Sequence, residues 1–114
     1  MITMYGISNC DTIKKARAWL AEHAIDYDFH DYKAEGVDPA RLARWIEAEG
    51  WEVLLNRAGT TFRKLPEDAR RDLDADRAAA LMRAHPSAIR RPVLEHPGGL
   101  LVGFAPDRYA RALL

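Results

Sequence analysis

Thiol chemistry is nearly absent from this chain: among 114 residues there is one cysteine, Cys10. A lone sulfhydryl cannot close an intramolecular disulfide, so a disulfide framework is excluded and a reducing compartment is expected. An excess of charge of either sign is also missing, because 17 Lys and Arg balance 17 Asp and Glu. Nucleic-acid binders draw much of their affinity from a basic excess that displaces counterions, so no nucleic-acid partner is expected. No apolar run approaches the roughly 20 residues of a membrane-crossing helix. The N-terminal MITMYGISN lacks the basic flank and apolar stretch of a signal peptide. These absences predict a cytoplasmic protein with no membrane partner. His23, His30, His85 and His96 have no metal-ligand spacing and only one cysteine could join them, so no metal is expected.

What is present is ordinary for a globular chain: 48% hydrophobic and 30% charged residues, enough length for one core but not two. Ile2–Tyr5 is a short β-favouring run ended by Gly6. From Asp11 the period changes, with Ile13, Ala16, Leu20 and Ala24 on one helical face. Asn9 or Asp11 can supply the N-cap oxygen. Ile25, Tyr27 and Phe29 then alternate with polar residues, which predicts a half-buried strand with His30 facing solvent. Strand, helix and strand within about thirty residues make a βαβ unit with parallel strands.

The middle of the chain reads as helical. Asp38-Pro39 opens a helix that Gly50 closes, with Leu42, Trp45 and Ile46 as its stripe. Asn56–Lys64, NRAGTTFRK, reads as a polar, turn-rich segment. A further helix runs from Asp74 through Leu81 and Met82 until Pro86 stops it. Pro92–His96 and Leu100–Phe104 around Pro97-Gly98-Gly99 form a hairpin pattern. A last helix starts at Ala105-Pro106-Asp107, with Tyr109, Leu113 and Leu114 available for docking. The three tryptophans, Trp19, Trp45 and Trp51, sit on helical patterns and are expected in cores.

Cys10 falls between the first strand and the first helix, where backbone N–H groups lack intrahelical partners and the helix dipole is positive. Both favour thiolate, and such positions bring cysteine pKa values to roughly 3.5–7.5. Lys14 and Lys15 lie one turn on, and an anion would also be at home there. Buried, inert cysteine is the common alternative, but Ser8, Asn9, Asp11 and Thr12 surround this one with polar groups.

Four segments carry a resemblance: GISNCDTIKKA around Cys10, LLNRAGTTFRKL (Leu54–Leu65), IRRPVLE (Ile89–Glu95) and LVGF (Leu101–Phe104). Together they resemble the ArsC/Spx-like family, in its YffB-type branch, across essentially the whole chain. The resemblance implies an α/β fold. It has a single thioredoxin-like domain over 1–114, a βαβ–ββα core and mixed four-stranded sheet, and a helical insertion at about 37–86.

It implies roles as well. Cys10 matches the family's nucleophile, Arg91 the anion-contacting arginine of the Arg-Pro pair, and Pro92 the proline with a preceding cis bond. Asn9, Asp11, Thr12 and Lys14 are candidates for binding substrate or glutathione around the nucleophile. Apart from the resemblance, Arg57 and Arg63, with Thr60, Thr61 and Lys64, are candidates for a second wall of an anion or glutathione site, with a solvated polar loop as the equal alternative. The activity implied is a glutathione-dependent thiol reductase with no tightly bound cofactor. Glutathione is its co-substrate and glutaredoxin a possible partner, and the chain is expected to be a monomer. Two alternatives stand beside it: arsenate reduction, and an Spx-like regulator that binds RNA polymerase.

The departures bear on both alternatives. Arsenate reductases of the family use two further arginines. The place of one falls at Gly103 or Phe104, and that of the other around Asn56, with Arg57 adjacent and Arg63 nearby. Gly6 stands where those enzymes have a histidine four residues before the nucleophile. Fewer charge-assisted donors argue against a tetrahedral oxyanion as substrate. Ile13 stands where Spx has its second cysteine.

Overall fold

The computed structural model describes all residues, Met1–Leu114. They group into two compact units, Met1–Glu35 with Arg91–Leu114, and Gly36–Arg90.

The first unit is built on four short strands, β1 (Thr3–Gly6), β2 (Asp28–Asp31), β3 (Val93–His96) and β4 (Gly99–Val102), in spatial order β2-β1-β3-β4. β1 runs parallel to β2 and antiparallel to β3, and β3 is antiparallel to β4. This is the mixed, thioredoxin-like sheet that the resemblance implies. The register decides where chemistry can gather. Gly6 pairs with Asp31 at the C-terminal ends of the parallel strands, and Tyr5 pairs with Val93 at the start of β3. Three chain segments therefore meet at one end of the sheet: the loop after β1, the turn after β2 and the residues before β3.

Helix α1 (Asp11–Glu22) buries Ile13, Ala16 and Leu20 against that sheet, and Tyr109 of the C-terminal helix (Pro106–Leu113) joins the same core with Met4, Leu94 and Leu101. Trp19, Ile25, Tyr27, Phe29, Phe104 and Leu113 are half-buried around it. Arg17 leaves the helix to bond the Tyr27 hydroxyl at 2.8 Å, with its guanidinium 4.4 Å from the Phe29 ring centroid. That contact covers one flank of the core with a cation–π interaction.

Three expectations fail here for local reasons. Ala24 does not extend the α1 stripe: its φ of 53° places it in the left-handed region, past the helix end. The Ile25 N–H returns to the Leu20 carbonyl and the Ala24 N–H to Ala21, a Schellman closure with alanine where glycine is usual. Strand β2 consequently begins only at Asp28, once the chain has turned. Leu114, beyond the last helix, is 69% exposed and does not dock.

The second unit is helical. Helix α3 (Pro39–Glu49) follows a four-residue turn, α2 (Tyr32–Glu35), which belongs to the first unit. The Asp38 side chain accepts from the Arg41 N–H, and Gly50 ends the helix at φ 89°. Helix α3 packs on α4 (Trp51–Leu54) and α7 (Ala75–Ala84). Leu42, Trp45, Leu54, Leu55, Phe62, Leu81, Met82 and Ile89 form a second buried set. Of the three tryptophans, Trp45 is fully enclosed, while Trp19 and Trp51 keep one face open. The segment read as a polar turn contains a short helix, α5 (Thr60–Arg63), because Phe62 gives it an apolar residue to bury. α6 (Glu67–Arg70) follows it.

No helix is long and apolar enough to cross a membrane.

Candidate active site

Cys10 is itself the N-cap of α1, in extended conformation at φ −146° and ψ 132°. Neither Asn9 nor Asp11 caps the helix. Their expected role falls to the cysteine because the Lys14 N–H already reaches the Cys10 carbonyl at 3.0 Å, so the helical ladder starts there. No side-chain cap hydrogen bond of good geometry forms. The N–H groups of Ile13 and Thr12 instead face the sulfur closely enough to favour its anion.

The thiol is half-buried, with one side against the apolar cluster of the first unit. Burial is the largest single influence on its ionisation and pushes the pKa up. The Ile13 amide, a hydrogen bond from Arg91, the Thr12 amide and the Arg91 charge together outweigh it. The net result is a thiol below its ordinary value. The positive charge at the sulfur is that of Arg91, not of Lys14 or Lys15, which point into solvent from α1.

Arg91 is joined to Pro92 by a cis peptide bond, and Pro92 is buried with its carbonyl accepting from the Gly103 N–H at 2.8 Å. The guanidinium bonds Cys10 and also the hydroxyl of Tyr32, a residue with no exposed surface. Burial, above all, raises the Tyr32 phenol far beyond its usual range. Arg91 opposes this, while Cys10 and Asp31 add to it. Tyr32 is therefore a neutral hydrogen-bonding group at any working pH.

Asp31 ties the remaining parts together. Desolvation is the largest single influence and works against its ionisation, but the amides of Ala34, Lys33 and Ser8 and the Ser8 hydroxyl together outweigh it and hold the carboxyl below its usual value. The Lys33 and Ala34 N–H groups lie 3.0 and 3.3 Å from Oδ1. One carboxylate thus pins the loop that carries Cys10 to the turn that carries Tyr32.

The predicted site residues divide accordingly. Cys10, the Thr12 backbone and Arg91 come together, with Pro92 adjoining. Asn9, Asp11 and Lys14 are exposed beside the cysteine loop. Arg57 and Arg63 belong to the second unit, where the Arg57 guanidinium sits 5.5 Å from the Trp51 ring centroid. His30 does not face open solvent: it is half-buried, 3.6 Å from Glu35 and tilted against the Tyr5 ring. No group of three His, Cys, Asp or Glu side chains is arranged to hold a metal.

Asp31 and Tyr32 escaped sequence reasoning, and Ser8 was read only as a polar neighbour of Cys10. The available signal was their position directly after two parallel strands, where sites of open α/β sheets form.

The departures from relatives have steric sense. A Cβ at Gly6 would collide with Ile13 Cδ1 and lie 3.2 Å from its Cγ1, so a larger residue there requires the Ile13 side chain to shift. Ile13 has no exposed surface, so position 13 serves packing.

The ArsC family profile matches residues 5–112. The YffB (PA3664) protein superposes with a TM-score of 0.97 at 59% identity, covering both chains in full. An arsenate reductase (ArsC) related protein from Brucella melitensis is 60% identical over 99% of this chain and 95% of its own, with a TM-score of 0.77. An uncharacterised Haemophilus influenzae protein is 42% identical over 98% of each chain. The global transcriptional regulator Spx of Listeria innocua is 30% identical over 99% of this chain and 87% of its own. With the family profile spanning nearly the whole sequence and these relatives matching it from end to end, the chain belongs to the ArsC family.

Proposed function

We propose that this protein is a thiol-disulfide reductase that uses Cys10 as its only nucleophile and glutathione as the resolving thiol. The observation that carries the reading is the half-exposed Cys10 sulfur held between two helix-start amides and the Arg91 guanidinium. The Cys10 thiolate attacks the glutathione sulfur of a mixed disulfide. The S–S bond breaks, the substrate leaves as a thiolate and takes up a proton, and Cys10 carries glutathione. A second glutathione thiolate attacks that disulfide, releasing oxidised glutathione and restoring the Cys10 thiolate. One free glutathione thiol is oxidised for each mixed disulfide reduced, because the other half of the oxidised glutathione comes from the mixed disulfide itself. An external thiol is required because the chain has no second cysteine. Arg91 is the group suited to an incoming carboxylate, and its charge also stabilises whichever thiolate is departing.

Incubation with a mixed disulfide of glutathione and mercaptoethanol, with excess glutathione, should yield oxidised glutathione catalytically. A glutathione adduct on Cys10 should be visible by mass spectrometry. A Cys10→Ser chain with undiminished turnover would sink this mechanism.

A second reading, a regulator acting through protein contact, is favoured by the likeness to Spx across nearly the whole chain. Recovery of RNA polymerase subunits on the immobilised protein, combined with a Cys10 inert to alkylation, would support it over catalysis.

A further inference from the structure

We propose that Tyr32 is a positioning residue for Cys10: its buried hydroxyl accepts a hydrogen bond from the Arg91 guanidinium and thereby aims that guanidinium at the sulfur. The inference rests on the reading of Cys10 as a thiolate partnered by Arg91. It adds a residue that neither motif nor composition singles out.

Three observations converge. The Arg91 guanidinium hydrogen-bonds both Cys10 and the Tyr32 hydroxyl, so the phenol touches the same cation that faces the thiol. Tyr32 has no exposed surface, so its hydroxyl cannot exchange Arg91 for bulk water as a partner. The turn bearing Tyr32 is itself locked, because Asp31 accepts from Lys33 and Ala34 within the turn and from Ser8 in the cysteine loop. The polar ring closes as Cys10, Arg91, Tyr32, Asp31, Ser8 and back along the backbone. It uses the three segments that the sheet register brings to one end. Arginine has a long flexible side chain whose rotamer entropy must be spent to hold a fixed pose, and a neutral acceptor behind it supplies that hold. The strongly raised ionisation of the phenol keeps it an acceptor rather than a competing anion.

The test is the pH dependence of Cys10 alkylation by iodoacetamide in the full chain, for wild type, Tyr32→Phe, Arg91→Ala and the double variant. Tyr32→Phe keeps the ring and its packing and removes only the oxygen. It should raise the thiol midpoint by roughly half to one pH unit toward the free-thiol value of about 8.5, slowing alkylation at pH 7 by about three- to tenfold. Added to Arg91→Ala, the same change should move the midpoint no further, because Tyr32 acts through that arginine. Tyr109→Phe, the same substitution at the other buried tyrosine of this unit, should leave the midpoint unmoved.

An unchanged midpoint in Tyr32→Phe, or an equal shift in the Arg91→Ala background, overturns the proposal. The wild-type chain offers a reading independent of variant folding. The Tyr32 ring resonances should titrate with the Cys10 midpoint while those of Tyr109 stay fixed, and a silent Tyr32 overturns it equally. A shifted midpoint without glutathione turnover would sink the reductase reading alone.

Discussion

Arg91 in the sheet unit and Arg77 in the helical unit show two uses of the same side chain. Arg77 donates to the carbonyls of Asp68, Arg71 and Asp72 at 2.9, 2.7 and 3.1 Å, closing the stretch between α6 and α7 on itself. Arg90, one residue before the catalytic candidate, likewise bonds the Val53 carbonyl at 3.0 Å. In both, the guanidinium satisfies backbone acceptors that α-helix ends leave open, a task that any folded helical segment sets. Arg91 bonds a sulfur and a phenol, neither of which belongs to the backbone ladders of helices or strands. The lesson is that an arginine marks a site by what it donates to, and adjacent arginines in one motif can fall on opposite sides of that line.

The largest effect should come from the sulfur itself. Cys10→Ser should lower glutathione-dependent turnover by about 10³-fold or more, since loss of the nucleophile leaves only binding. Stability should change little, because the thiol is only half-buried.

Arg91→Ala comes next. Loss of one charge-assisted hydrogen bond, worth about 1.5–3 kcal/mol, should cut thiolate reactivity at neutral pH roughly ten- to hundredfold. Its signature is an alkylation midpoint displaced upward. Arg77→Ala should do the reverse: lose about 1–2 kcal/mol in chemical denaturation, as neutral hydrogen bonds to carbonyls go, while the Cys10 midpoint stays at the wild-type value. If Arg77→Ala moved that midpoint as far as Arg91→Ala does, the distinction between the two arginines would be lost.

How far the sequence foretold this arrangement depends on the range of the forces involved. Asp38-Pro39, Gly50 and Asp74 act within a few residues, and the helices they bound lie where the pattern puts them. The hairpin around Gly98-Gly99 is local for the same reason. Cys10 was legible because a helix start is a short signature, whereas Arg91 was legible only through the family resemblance, since Arg90-Arg91 by itself reads as a solvated pair. Tyr32 was not, since a tyrosine followed by lysine in a polar stretch reads as surface. Only the parallel pairing of β1 with β2 turns it inward beside Arg91. Ala24 misled for a related reason: the apolar period runs on through it, and nothing in alanine announces a left-handed residue. A polar ring assembled from three segments is a tertiary fact, and periodicity sees one segment at a time.

The contrast between paired and unpaired polar groups sharpens at the tyrosines, where the smallest effect is expected. Tyr109 is as buried as Tyr32, between the rings of Trp19 and Phe104, but its hydroxyl has no hydrogen-bond partner. An unsatisfied buried hydroxyl carries a desolvation cost of about 1–3 kcal/mol, part of which returns when the oxygen is removed. Tyr109→Phe should therefore be neutral to about 1 kcal/mol more stable at pH 7, read by denaturant midpoint. Burial raises the Tyr109 phenol as it does that of Tyr32. A raised folded pKa means stability is fully present below the unfolded value near 10 and drains away as pH climbs beyond it. Each such tyrosine steepens the alkaline loss by up to about 1.4 kcal/mol per pH unit, the worth of one proton released on unfolding. Tyr109→Phe should remove one of those two contributions and flatten the curve above pH 10. A variant less stable at pH 7 by more than 1 kcal/mol would mean that this hydroxyl is satisfied after all, and that Tyr32 owes its importance to something other than having a partner.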